Sequence, residues 1–140
     1  MKLFYVLVLL VAATSCMAQT PRSEHVNKVL DCKVIKTSPQ LDACVHSKMV
    51  QSNIRLKNEF LSLEERVRHA YTADQKLGDE FIEKVRKAQK AWVTFRQLNC
   101  SVEAFDIEEG TPAHNTTVNN CIIRMNAARI SALIKLKESE

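Results

Sequence analysis

The residues of this chain best able to form bonds of their own are Cys32, Cys44, Cys100 and Cys121, and they admit two chemistries. A tetrahedral metal site would recruit them with histidine, and His46, two residues after Cys44, comes nearest to that pattern. Structural zinc sites usually contain a C-x-x-C pair. None is present here, so no metal is expected. An even set of cysteines in an exported chain reads instead as disulfides, with three connectivities open for four cysteines. Each local pairing, Cys32 with Cys44 or Cys100 with Cys121, would close a loop of modest length worth ~3 kcal/mol by chain entropy.

Acid–base chemistry needs two groups held toward a common point. Glu64-Glu65 and Glu108-Glu109 are sequence neighbours, and neighbours on a helix or loop point apart. His25, His46 and His69 have no partner at catalytic spacing. No nucleophile elbow, H-E-x-x-H helix or phosphate-cradling glycine loop occurs. Neither catalysis nor a cofactor is expected.

The start of the chain sets its compartment. Lys2 precedes a short apolar run from Leu3 to Ala13 and then small residues ending in Cys16-Met17-Ala18. That is the build of a secretory signal peptide at residues 1–18. The run is too short to span a bilayer as a helix of ~20 residues. A second reading makes Cys16 the lipidated first residue of an envelope-anchored protein, although Ala13 stands where lipoprotein boxes prefer leucine.

Behind residue 18 lies one domain's length of chain. Residues 19–37 form a weakly patterned lead-in to a helical domain over 38–140. Two glycines and three prolines in 140 residues are too few for the turns of an all-β fold. Ser38-Pro39 reads as a helix start, with serine as N-cap and proline at the first helical position. The short helix that it opens either breaks near His46-Ser47 or runs on. Met49, Leu56, Phe60, Leu63 and Val67, then Ala70 or Tyr71, trace one face of an amphipathic helix over 48–71. Gly78 falls in the next connection, and Asp79 and Glu80 open a helix over 79–99. Phe81, Val85, Ala88, Trp92 and Phe95 make its apolar stripe. After an aperiodic stretch at 101–117, a helix over 118–137 presents Ile122, Met125, Ile130, Leu133 and Leu136. The expectation is an all-α, small antiparallel bundle of three main helices plus a short one. On that map the local pairings Cys32–Cys44 and Cys100–Cys121 are favoured, because each brackets a turn.

The most informative string runs from Ala88-Gln89 through Trp92, Phe95 and Arg96 to Cys100. Intervals of four place Trp92, Arg96 and Cys100 on one helix face, with Arg96 beside the indole or paired with a carboxylate. The string resembles the A-Q-x-x-W-x-x-[YF]-R-x-x-x-C block of an exported bacterial family related to the N-terminal domain of LprI-type lysozyme inhibitors. That family also has two cysteines upstream, a fourth downstream, and an arginine and a leucine in its last helix. Cys32, Cys44, Cys121, Arg129 and Leu133 stand at those places, and Phe60 stands where the family often has tyrosine. The resemblance spans roughly residues 31–136. It implies a helical, disulfide-bonded periplasmic, secreted or surface domain and a role in blocking lysozyme. One departure bears on that role. Members often carry a glycine-rich stretch after the third cysteine, where this chain has residues 106–114 with a single glycine.

Charge gives an independent hint. Without residues 1–18 the chain carries +3, yet residues 101–117 hold Glu103, Asp106, Glu108 and Glu109 with no lysine or arginine. That stretch of −4 sits on a body of +7, an asymmetry suited to a basic partner. The candidate contact residues are Asp106, Glu108, Glu109 and His114, the last able in principle to enter a cleft lined by two carboxylates. The alternatives are an immunity-type or envelope-stress protein with another partner, and a structural lipoprotein. Nucleic acid is not expected, since no binding motif occurs and aromatics are only 6% of the chain.

Overall fold

A computed structural model of the protein describes residues 31–136. The expected signal peptide, Cys16 and residues 19–30 of the lead-in lie outside them. Among the described residues the fold has three helices: α1 (Ser38–Ala70), α2 (Gln75–Glu103) and α3 (Pro112–Lys135). The short helix and the first long one are a single element of 33 residues, which runs through His46-Ser47 unbroken. No glycine or proline interrupts it there, so nothing stops the backbone ladder once it has begun.

Each start is capped, and the caps correct the boundaries read from sequence. Thr37, not Ser38, is the N-cap of α1. Its hydroxyl accepts from the Gln40 N–H at 3.3 Å, while the Gln40 side chain accepts from the Thr37 N–H at 3.1 Å. This reciprocal pair satisfies two donors that the first turn would otherwise leave open. At α2 the Asp74 carboxylate accepts from the Leu77 N–H at 3.1 Å, so the helix starts a turn before Asp79. Gly78 lies inside that turn, not in the connection. A Cβ on Gly78 would stand 2.8 Å from the Cβ of Tyr71, and only glycine lets the α1–α2 corner close this tightly. At α3 Thr111 caps the His114 N–H at 3.2 Å and Pro112 takes the first position. The loop is therefore 104–111, shorter than the 101–117 expected, and Gly110 turns it with φ +79°.

Cross-helix contacts fix the directions. Asn115 reaches Asp42, Asn126 reaches Ser52, and Arg66 reaches the Leu133 carbonyl. The pairs advance together, so α1 and α3 run parallel. Arg86 meets Glu64 and Arg96 meets Asn53, which makes α2 antiparallel to both. At one end, here termed the apex, Leu56, Leu63, Val67, Ile82 and Leu133 form an apolar core with Phe60, Phe81, Trp92 and Ile130 against it. At the other end, the base, Cys100, Cys121 and Ile122 pack with Met49, Val118 and Met125. The expected stripes of α1 and α3 largely face these cores, with Ala70 and Leu136 outside. On α2, Phe81, Val85 and Trp92 face inward, but Ala88 is exposed and Phe95 is 57% exposed.

Candidate functional site

Both disulfides form as the local pairing had it. Cys32 bonds Cys44 and Cys100 bonds Cys121, with Cα separations of 5.7 and 5.5 Å. The second crosses from the end of α2 to the first half of α3 and fastens the base beside the loop. Among the described residues no group of three or more histidine, cysteine or acidic side chains could hold a metal.

Between the two cores lies a polar layer built around the W-x-x-x-R string. Arg96 is 6% exposed and Asn126 is fully buried. One Arg96 Nη donates to Asn53 Oδ1 at 3.0 Å and to Asn126 Oδ1 at 2.5 Å. The Asn126 amide donates in turn to Asn53 Oδ1 at 2.9 Å and Ser52 Oγ at 2.8 Å. The guanidinium also lies 5.4 Å from the Trp92 ring centre, and that of Arg129 lies 5.7 Å from it. Arg129 Nε donates to Gln89 Oε1 at 2.9 Å. Arg96 thus sits beside the indole, as one of the two expected arrangements had it, but its partners are amides and not a carboxylate. Burial pushes both arginines below their ordinary pKa. The indole faces and amide oxygens supply the negative potential that a carboxylate would have given. Nothing here presents a reactive group to solvent. Trp92, Arg96 and Arg129 tie α2 and α3 together, and α1 joins through Asn53 and Ser52.

Sequence reasoning missed a second buried charge. Glu64 is 6% exposed and receives Arg86 through two bonds of 2.6 and 2.8 Å. Hydrogen bonds from Arg86 hold its carboxyl below the usual range, against the opposing effect of burial. Glu65 lies exposed beside Arg68 and His69, so the adjacent pair does point apart. The one signal for it is spacing, since Glu64 stands four residues after Phe60 and three before Val67, at the edge of the α1 stripe, but its partner Arg86 lies 22 residues away.

The acidic segment divides. Glu103 ends α2, and its carboxylate pairs with Arg124 of α3 at 2.5 Å. Asp106, Glu108 and Glu109 remain on the loop, all exposed and without an ion pair among the described residues. His114 does not join them. It stands in the first turn of α3 and lines an open cleft with Pro39, Asp42 and His46 of α1, its Nδ1 buried without a hydrogen-bond partner. Loop and cleft lie at the same end of the bundle but form two separate features.

The sequence pattern of the family described as lysozyme inhibitor LprI matches residues 32–133, from the first cysteine of the fold to its last core leucine. The chain belongs to the LprI family. The crystal structure of a DUF1311-family protein from Pseudomonas putida KT2440 is similar to this LprI-family fold with a TM-score of 0.66 and 24% identity. The match covers 74% of this chain and 97% of that one, and the likeness is one of fold. No curated protein matches this LprI-family chain.

Proposed function

We propose that this LprI-family domain is an exported envelope protein that binds a lysozyme-type enzyme and occludes its cleft. The family match carries the reading, and two intramolecular disulfides suit an oxidising compartment outside the cytosol. No described helix is long and apolar enough to cross a membrane. Asp106, Glu108 and Glu109 are proposed as the contact, because they are exposed acids without an ion pair among the described residues, on a loop bracketed by the Cys100–Cys121 bond and the Thr111 cap. Many lysozymes are strongly basic, and complementary charge speeds encounter and fixes orientation. His114, one turn into α3 at the same end, is proposed as a secondary contact.

The test is peptidoglycan turnover by several lysozyme types, titrated with the oxidised protein and with a variant carrying Asp106→Lys, Glu108→Lys and Glu109→Lys. Saturable inhibition that the variant loses supports the reading. Inhibition unchanged in the variant moves the contact away from the loop. No inhibition of any type favours another envelope enzyme or toxin as partner, a second reading that the departure from a glycine-rich loop also favours.

A further inference from the structure

The outward face of α2 carries a feature that the proposed inhibition does not use. Ala88, Ala91, Phe95, Leu98, Val102 and Phe105 follow one another at intervals of three, four, three, four and three. This is the spacing of a coiled-coil seam, ~26 Å long at 1.5 Å per residue. All six are exposed, with Phe95 at 57%, Leu98 at 65%, Val102 at 73% and Phe105 at 84%. The first five lie on the helix or its last turn, and Phe105 follows in the turn where its N–H bonds the Val102 carbonyl. The inward face of α2 is already satisfied by Ile82, Trp92, Arg96 and Cys100, so the bundle has no use for the outer one. A contiguous apolar stripe of this size on an exported domain marks an interaction surface.

The stripe is asymmetric, and its asymmetry is self-complementary. Its first half is small, with Ala88 and Ala91, and is flanked by the exposed Lys84 and Lys87. Its second half is large and ends in the acidic loop. We infer that a second copy of this chain covers the stripe, with the two α2 helices antiparallel about a two-fold axis at Leu98. In that register Leu98 meets its own counterpart, Phe95 meets Val102 of the other copy, and Phe105 seats over Ala91. Lys84 and Lys87, the latter also reaching Glu83 at 2.7 Å in its own helix, come to the end where the acidic loop of the other copy begins. Each phenylalanine finds a smaller side chain, and the basic flank of one copy lies toward the acidic loop of the other. A parallel pairing would instead set Phe105 on Phe105 and Lys87 on Lys87. The contact is isologous, so it closes at two copies and does not propagate. A dimer would also turn part of the acidic loop toward its twin, so self-association and enzyme binding would compete.

Sedimentation velocity of the oxidised protein over a wide concentration range tests the inference. A reversible dimer is expected. Leu98→Glu, which places two like charges at the axis, should weaken it by about thirtyfold or more, and an unchanged far-ultraviolet spectrum and melting temperature would show the fold intact. Lys87→Glu should weaken it less, and adding Asp106→Lys, Glu108→Lys and Glu109→Lys should restore it. Under oxidised glutathione Leu98→Cys should yield a covalent dimer, whereas Lys84→Cys should not, because the two copies of residue 84 lie at opposite ends. A monomer at every concentration overturns the inference and leaves the stripe to residues 19–30 or to another protein. A dimer indifferent to Leu98→Glu overturns it as well. Lysozyme inhibition by Leu98→Glu is read separately, so loss of self-association and loss of the proposed inhibition are distinguishable.

Discussion

The apex and base of this bundle hold together by different means. At the apex, Leu63, Val67, Ile82 and Leu133 are packed tightly around a corner that Gly78 allows to close. At the base, Cys100 and Cys121 stand where the apex has leucines, and the large apolar residues of α2 point outward. The apex is a core in the ordinary sense, stabilised by area removed from water. The base is a platform whose shape is set by covalent bonds and a buried amide–guanidinium layer. Its apolar side chains are thereby left free to meet other molecules. Both candidate surfaces, the acidic loop and the α2 stripe, belong to this end.

Substitutions that act on one end only would sharpen that contrast. The largest effect is expected for Leu63→Ala, which leaves a cavity in the apex and should cost about 4 kcal/mol in denaturant unfolding. Its loss should be nearly the same with or without a reductant. Replacing both Cys100 and Cys121 by serine should cost about 3 kcal/mol. Here hydrogen exchange should show amides of residues 100–125 opening while those near Leu63 and Ile82 stay protected, and uniform loss of protection would break the distinction. Asn126→Ala removes the acceptor of the Arg96 bond and the donor to Ser52 and Asn53, and should cost about 2 kcal/mol. It should also quench or shift Trp92 fluorescence, since Arg96 loses one of the amides that hold it beside the indole.

A smaller effect tests the Glu64–Arg86 pair. The Glu64 carboxyl is held below its unfolded value of 4.5, so its contribution is fully present above that pH and is lost as pH falls through the lower folded value. Glu64→Gln should therefore flatten the decline in stability below pH 4.5, by about 1 kcal/mol, because Arg86 is itself more than half exposed.

How much of this was legible beforehand depended on which side chains keep to one period. The α1 stripe was readable because Leu56, Phe60, Leu63 and Val67 all serve one core. On α2 two apolar faces overlap, and the sequence alone gave no reason to assign Phe95 to the outer one. The start of α3 was missed although Thr111-Pro112 is the same signal as the Ser38-Pro39 start, because its first turn is polar and the apolar periodicity begins only at Val118. The acidic cluster was visible as composition, but the loss of Glu103 to Arg124 depends on a pairing 21 residues distant. Buried Asn126 could not be foreseen, since its partners Ser52 and Asn53 lie more than 70 residues away.

The two disulfides also differ in how a small thiol can reach them. Cys100 and Cys121 are both at 0% exposure, whereas Cys32 is exposed and only its partner Cys44 is buried. Attack on a disulfide needs a thiolate in line with one of its sulfurs. The Cys32–Cys44 bond can therefore be cut in the folded protein, at a rate that rises with reductant concentration. The Cys100–Cys121 bond must wait for the base to open, and its cleavage rate should level off at the opening rate. Once folded, the domain would keep its base closed through a transient loss of oxidising conditions and release only the segment that leads into α1.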